Sequence, residues 1–373
     1  MLKSVLYQAH LWLGLLTGVI MLVLGVTGSI LAIEPDLRAT PPTSGSPARL
    51  PLADIVRRAE REHPGYRVRQ LRPAPPGGAQ RLLLGSTRPG PGEPLLLAVD
   101  PASGKVLARR RPGAGWLGGI HRLHGNLLAG STGRSVNGAF GIALLLLAIT
   151  GFVLWLPRKQ WKLTPATGWR RRNWNLHHAA GIFTLWFLAL EGLTGAVLAF
   201  PNATRALLGL PRQQQPLRGL RPVAVTTAPL DRFLENARAV WPEFRITTLT
   251  LPARPGDPVV VAGRLPGDAR WREDASRLRF DAASARLLGS IRARDLSAAA
   301  NTLDVLRALH TGRIGGRAAR VLYFALGLAP GVLFSTGLIM WLNRLAAQRR
   351  ALRPSARAAE AHSSRGEHVT HVS

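Results

Sequence analysis

The chain is 373 residues long, 46% hydrophobic, 18% charged and 6% aromatic, a composition that excludes a disordered or fibrous protein. Its formal charge of +29 would suit a nucleic-acid binder, but Lys and Arg gather beside apolar runs of bilayer length, so the charge reports topology and no nucleic-acid partner is expected. The lack of cysteine excludes disulfides, thiolate metal sites, Cys-ligated iron–sulfur clusters and covalently attached c-type haem.

Four apolar runs of about 20 residues each are long enough to cross roughly 30 Å of hydrocarbon as helices. The first, HLWLGLLTGVIMLVLGVTGSILAIE from His10 to Glu34, belongs to an expected first span over 1–34 that Pro35 terminates. It is too long for the apolar core of a signal peptide and has a twin in mid-chain, so a retained anchor is expected. A Pro, Thr and Ser-rich linker opens an external module over 35–115. Within it, Leu52 to Glu62 has helical spacing, Tyr66 to Arg72, Arg81 to Gly85 and Pro94 to Val99 read as strands, and Asp100-Pro101-Ala102-Ser103-Gly104 is a hairpin turn. The second span, with an amphipathic lead, covers 116–157. From His124 to Pro157 would be roughly 50 Å of continuous helix, too long for a bilayer, so the chain is expected to bend near Gly125, Gly130 or Gly133.

A basic loop over 158–174 carries Arg158, Lys159, Lys162, Arg170, Arg171 and Arg172 with no acid, which places it in the cytoplasm. The third span covers 175–201. A second external module over 202–300 repeats the first: Leu230 to Val240 is helical, Phe244 to Leu251 and Pro258 to Ala262 read as strands, and FDAASARLLG from Phe280 echoes VDPASGKVLA from Val99. Modules of this size are marginal alone and should lean on each other or on the spans. The fourth span, again with an amphipathic lead, covers 301–345. The tail over 346–373 has no periodicity, and its His362, His368 and His371 read as solvated.

The spans repeat as well. At one constant offset His10, Gly14, Gly25, Thr27 and Gly28 match His177, Gly181, Gly192, Thr194 and Gly195. At another, His124, Arg134, Thr150, Gly151 and Trp155 match His310, Arg320, Thr336, Gly337 and Trp341. The expected fold is therefore a membrane α-helical bundle of four transmembrane helices from a tandem duplication, with two small α+β external modules.

Histidine is the remaining metal-binding residue type with a repeated pattern. Two neutral imidazoles from different helices can ligate haem iron axially, and Gly14 and Gly181, one turn after their histidines, leave room for a flat macrocycle. Topology pairs His10 with His177 at the cytoplasmic side and His124 with His310 at the external side, giving two candidate haem b sites. Interfacial anchoring is the plain alternative for each histidine. His121 and His178 have no twin and rank as supporting residues or alternates. Arg134 and Arg320 could pair with haem propionates or anchor the interface. Glu191, about four turns after His177 on the same helix face, is a candidate proton relay or a structural hydrogen-bonding group. The repeated Thr-Gly pairs read as packing positions whose hydroxyls bond across or back to the helix. No residue is assigned a catalytic role, and no phosphate loop, dinucleotide fingerprint, HExxH or nucleophile elbow is present.

The His-x-x-x-Gly starts at His10 and His177, the Thr-Gly segments, the Leu-His starts at His124 and His310 and the VDPASGKVL hairpin together resemble the PepSY-associated transmembrane proteins of bacterial inner membranes, over nearly the whole chain to about residue 345. The resemblance implies two PepSY-like periplasmic modules, cytoplasmic termini and a haem-dependent transmembrane ferric reductase with His10, His124, His177 and His310 as axial ligands. Its substrate would be a ferric siderophore or other ferric chelate. Some relatives carry a flavin-reductase domain that this sequence lacks, so the electron donor would be a quinol or a reductase protein. A non-enzymatic regulatory or binding protein, and a siderophore or metal permease, are the other readings the resemblance and the repeat leave open.

Overall fold

The computed structural model describes residues 1–37, 42–46, 48–87, 93–157, 168–211 and 229–351. Arg158, Lys159, Lys162 and the tail histidines His362, His368 and His371 lie outside them. The chain divides into two compact units, one of Met1–Val26, Ile142–Gly192 and Leu326–Ser373, the other of Thr27–Gly141 and Leu193–Ala325.

Among the described residues, four helices are long and apolar enough to span a membrane. They are α1 (Leu2–Ala32), α5 (Gly130–Trp155), α6 (Trp169–Ala199) and a fourth segment, Gly316–Ala351, which a turn at 327–328 divides into α10 (Gly316–Leu326) and α11 (Ala329–Ala351). Their apolar surfaces are only partly covered: Leu16 is 77% exposed, Phe183 72% and Trp186 81%. Side chains of this kind on bilayer-long helices face lipid, and the chain is a multi-pass membrane protein. Where the first unit's helices do touch, they do so closely. A Cβ at Gly25 would stand 2.4 Å from the carbonyl oxygen of Gly327, so only glycine fits there.

α1 ends at Ala32, and Pro35 sits in a separate short helix, α2 (Glu34–Leu37), because proline is tolerated in a first helical turn whose N–H groups have no helical partner. One boundary differs from the sequence reading. The bend before α5 uses more than glycine. The short helix α4 (Gly115–Asn126) ends with Leu127 and Leu128 in the left-handed region, φ 50° and 61°, followed by Gly130 at 60°.

In the second unit, α3 (Leu52–Glu62) and α8 (Leu230–Val240) pack on an antiparallel sheet. Its strands are β1 (Tyr66–Arg72), β2 (Gln80–Ser86), β3 (Leu95–Val99), β4 (Val106–Arg110), β5 (Arg245–Thr250), β6 (Val259–Arg264), β7 (Ser276–Phe280) and β8 (Leu287–Ile291). Alternation sets the buried face: Leu82 and Leu84 on β2, Leu95 and Leu97 on β3, and Leu278 and Phe280 on β7 are essentially inaccessible. The two sets of four strands form one eight-stranded sheet in the order β4-β3-β2-β1-β5-β6-β7-β8, joined where Gln70 faces Thr250 and Leu71 faces Leu249. One core runs through both sets, from Ile55 and Leu82 to Phe233 and Phe280. Both halves break register at matched places, between Val68 and Gln70 and between Ile246 and Thr248. The unit's other described helices include α7 (Pro201–Leu207) and α9 (Ala298–His310), with α2, α4 and α10 already given. Ser297 caps α9 by accepting the Ala300 N–H at 3.2 Å.

Candidate cofactor site

In the first unit a cavity of about 520 Å³ opens among α1, α5, α6 and α11. His10 and His177 both line it, with Gly14, Gly151, Gly181 and Gly337 and a largely aliphatic wall. Tyr7, Arg170 and Asn343 are polar residues of the same wall, and Arg344 donates to the Tyr7 hydroxyl at 3.3 Å.

Each histidine is held in the same way. His10 Nδ1 lies 2.9 Å from Thr150 Oγ1, and Thr150 Oγ1 donates to the Leu146 carbonyl at 2.8 Å. His177 Nδ1 lies 2.9 Å from Thr336 Oγ1, which donates to the Val332 carbonyl at 2.7 Å. A hydroxyl has one proton, and a carbonyl can only accept. The arrangement that satisfies both contacts has the imidazole Nδ1–H donating to the threonine, leaving Nε2 with its lone pair. The glycine after each threonine gives the ring its space: a Cβ at Gly151 would lie 3.2 Å from His10 Cε1, and one at Gly337 3.5 Å from His177 Cε1.

The second unit repeats the motif. His124, on α4, has Nδ1 3.1 Å from Thr27 Oγ1, and His310, the last residue of α9, has Nδ1 3.0 Å from Thr194 Oγ1. A Cβ at Gly28 would lie 3.0 Å from His124 Cε1, and one at Gly195 3.5 Å from His310 Cε1. The two rings face each other with centroids 6.2 Å apart and planes inclined by 38°. Two imidazole nitrogens each about 2 Å from one metal ion put their ring centroids about 6 Å apart, so this pair has the spacing of two ligands to a single ion. Asn137 Nδ2 donates to the His124 carbonyl at 2.5 Å and fixes the backbone at that end of α4.

The other candidates are distributed differently. Arg134 is exposed near the start of α5, and Arg320 is partly exposed on α10. Glu191, half-buried on α6, is not among the residues lining the cavity. His121 is exposed, whereas His178 does line the cavity: its Nδ1–H donates to the Trp174 carbonyl at 2.9 Å, and its ring stacks on Trp174 at 3.9 Å. The threonines are the residues whose contact with the site the sequence reading did not identify. Their repetition at matched positions was the available signal, but which side chain each would meet depends on how the helices cross.

For a haem, the inner residues fit on three counts: imidazoles on one cavity, tautomers at His10 and His177 that present Nε2, and glycine-lined space beside the rings; His124 and His310 fit by their ring spacing. A sequence comparison finds 30% identity over 265 residues with an uncharacterized protein of Pseudomonas aeruginosa, covering 63% of this chain and 64% of that protein, so the chain spans less than two thirds of its relative's length. The sequence profile of the PepSY-associated TM region matches residues 7–344, and with four membrane-long helices among its described residues the chain belongs to that family.

Proposed function

We propose that the protein is a di-haem inner-membrane electron-transfer protein, arisen by tandem duplication, that reduces a ferric siderophore or other ferric chelate on the periplasmic side. The observation that carries this reading is the paired imidazoles held alike by threonine in both units, His10 with His177 on one cavity wall and His124 facing His310 at 6.2 Å. His10 and His177 would hold one haem b, and His124 and His310 a second. A bis-imidazole haem supplies a one-electron carrier, and two of them supply a path across a bilayer.

The chain's own residues do the rest. The threonines and glycines orient the rings, and the aliphatic cavity wall excludes water from the inner site. The positive-inside charge of Arg170, Arg171 and Arg172 supports a cytoplasmic position for His10 and His177, facing a quinol or a reductase protein as donor. A quinol would deliver two electrons and two protons on oxidation to quinone, and each electron would convert one Fe(III) to Fe(II), which hard oxygen chelators hold weakly. The external sheet would serve as the docking surface for the chelate.

Purified full-length protein expressed with ample haem should show a b-type bis-imidazole spectrum and two haems per chain. His10→Ala or His177→Ala should remove one haem, and His124→Ala or His310→Ala the other. A wild-type preparation with no Soret band would rule the reading out.

A further inference from the structure

Four hydroxyls, on helices remote in sequence from the histidines they touch, contact Nδ1 at 2.9, 2.9, 3.0 and 3.1 Å. Three of the four threonines are buried: Thr27 is 6% exposed, Thr194 0% and Thr336 4%. Packing alone would be served equally well by valine, which has the shape of threonine without its polar atom. A hydroxyl used once could be incidental to a helix crossing. Its recurrence at four imidazole contacts, each followed by the glycine against which the ring lies, marks the polar atom as the feature that matters.

We propose that Thr27, Thr150, Thr194 and Thr336 are positioning residues for the haem ligands, a proposal that rests on the haem reading above. Each accepts the Nδ1 proton of its histidine, fixes the tautomer that presents Nε2, and strengthens the electron donation of the imidazole to iron. The bond order along the inner pair is explicit: His10 Nδ1–H to Thr150 Oγ1, and Thr150 O–H to the Leu146 carbonyl; His177 Nδ1–H to Thr336 Oγ1, and Thr336 O–H to the Val332 carbonyl. The same assignment extends to His124 with Thr27 and His310 with Thr194. A partner at the second ring nitrogen raises the basicity of the ligating one, which favours the ferric over the ferrous state, and losing such a partner typically weakens metal affinity 10- to 100-fold. A neutral hydroxyl polarises the ring less than a carboxylate does, so these ligands remain ordinary imidazoles and the sites remain readily reducible.

The test uses full-length protein carrying Thr150→Val, Thr336→Val or Thr150→Ser. Each valine variant should retain ferric haem roughly tenfold less tightly at the inner site. If that loss falls on the ferric form alone, the midpoint potential rises by about 59 mV for a one-electron couple. Thr150→Ser should restore both values, which a loss of packing would not allow. Wild-type affinity and potential in both valine variants would overturn the proposal while leaving the haem reading intact, whereas wild-type protein that binds no haem overturns the reading itself. The wild-type apoprotein gives a second readout, on the imidazole itself. With 15N-labelled histidine, the His10 signal, assigned by its loss in His10→Gln, should show a protonated Nδ1 and a bare Nε2, and a protonated Nε2 would overturn the proposal.

Discussion

A methyl group added at Gly28 would stand 3.0 Å from His124 Cε1, and one at Gly151 3.2 Å from His10 Cε1, both tighter than ordinary carbon contacts. At Gly195 and Gly337 the corresponding distance is 3.5 Å, an ordinary contact. The four alanine variants should therefore rank by distance. Gly28→Ala and Gly151→Ala should turn the imidazole off its threonine and lower haem retention by roughly tenfold, the order expected when a ligand's supporting partner is lost. Gly195→Ala and Gly337→Ala should stay near wild type, as titration of haem into each purified variant would show. The histidines stood out in the sequence because each pair recurs at a constant offset in a chain with no cysteine. Thr27, Thr150, Thr194 and Thr336 did not, because Thr-Gly is also what close helix packing selects, and only the crossing of two helices shows which ring a hydroxyl meets.

At the scale of elements, the turns that join β3 to β4 and β7 to β8 are built alike. Asp100 accepts the Ala102 N–H at 2.9 Å and the Ser44 N–H at 3.1 Å; Asp281 accepts the Ser284 N–H at 2.8 Å, the Ser284 hydroxyl at 2.7 Å and the Ala283 N–H at 3.1 Å. The bond from Ala102 chiefly holds the Asp100 carboxyl below the usual carboxylate range, and the bond from Ser284 does so for Asp281. A carboxyl whose folded pKa is depressed stabilises the fold above its unfolded value, about 3.9, and that contribution is lost as pH falls through the lower folded value. Amide exchange corrected for intrinsic rate should thus show protection of β4 and β8 falling below about pH 4. Asp281→Ala should leave β8 weakly protected at every pH while β4 keeps the wild-type profile. These turns were readable from sequence because the Asp-x-x-Ser pattern acts within a few residues, as were α3 and α8, whose apolar faces recur at helical spacing. The left-handed Leu127 and Leu128 were not, since leucine carries no local preference for that region and tertiary packing imposes it.

For the second unit as a whole, the joint between β1 and β5 matters most; the modules' small size implied support from each other or from the spans, but the sequence did not name the strands that pair. Strand edges pair through backbone groups that every residue has, so neither Tyr66–Arg72 nor Arg245–Thr250 names its partner. Yet the joint turns two four-stranded modules, each marginal by size, into one sheet over a continuous core. Leu71 and Leu249 face each other across it and are both fully buried, with four strands on either side. Truncating Leu71 to alanine removes apolar contact from the core of both halves and should cost about 2–5 kcal/mol. Were the modules independent, that loss would fall on the first half alone. Because the core is continuous, Leu71→Ala should reduce amide protection in β7 (Ser276–Phe280) along with β3 (Leu95–Val99), although β7 lies far from the substitution in sequence. Exchange measured on the full-length variant in detergent separates the two cases: matched losses in β3 and β7 mean one cooperative sheet, and a loss confined to β1–β4 means two modules that merely touch.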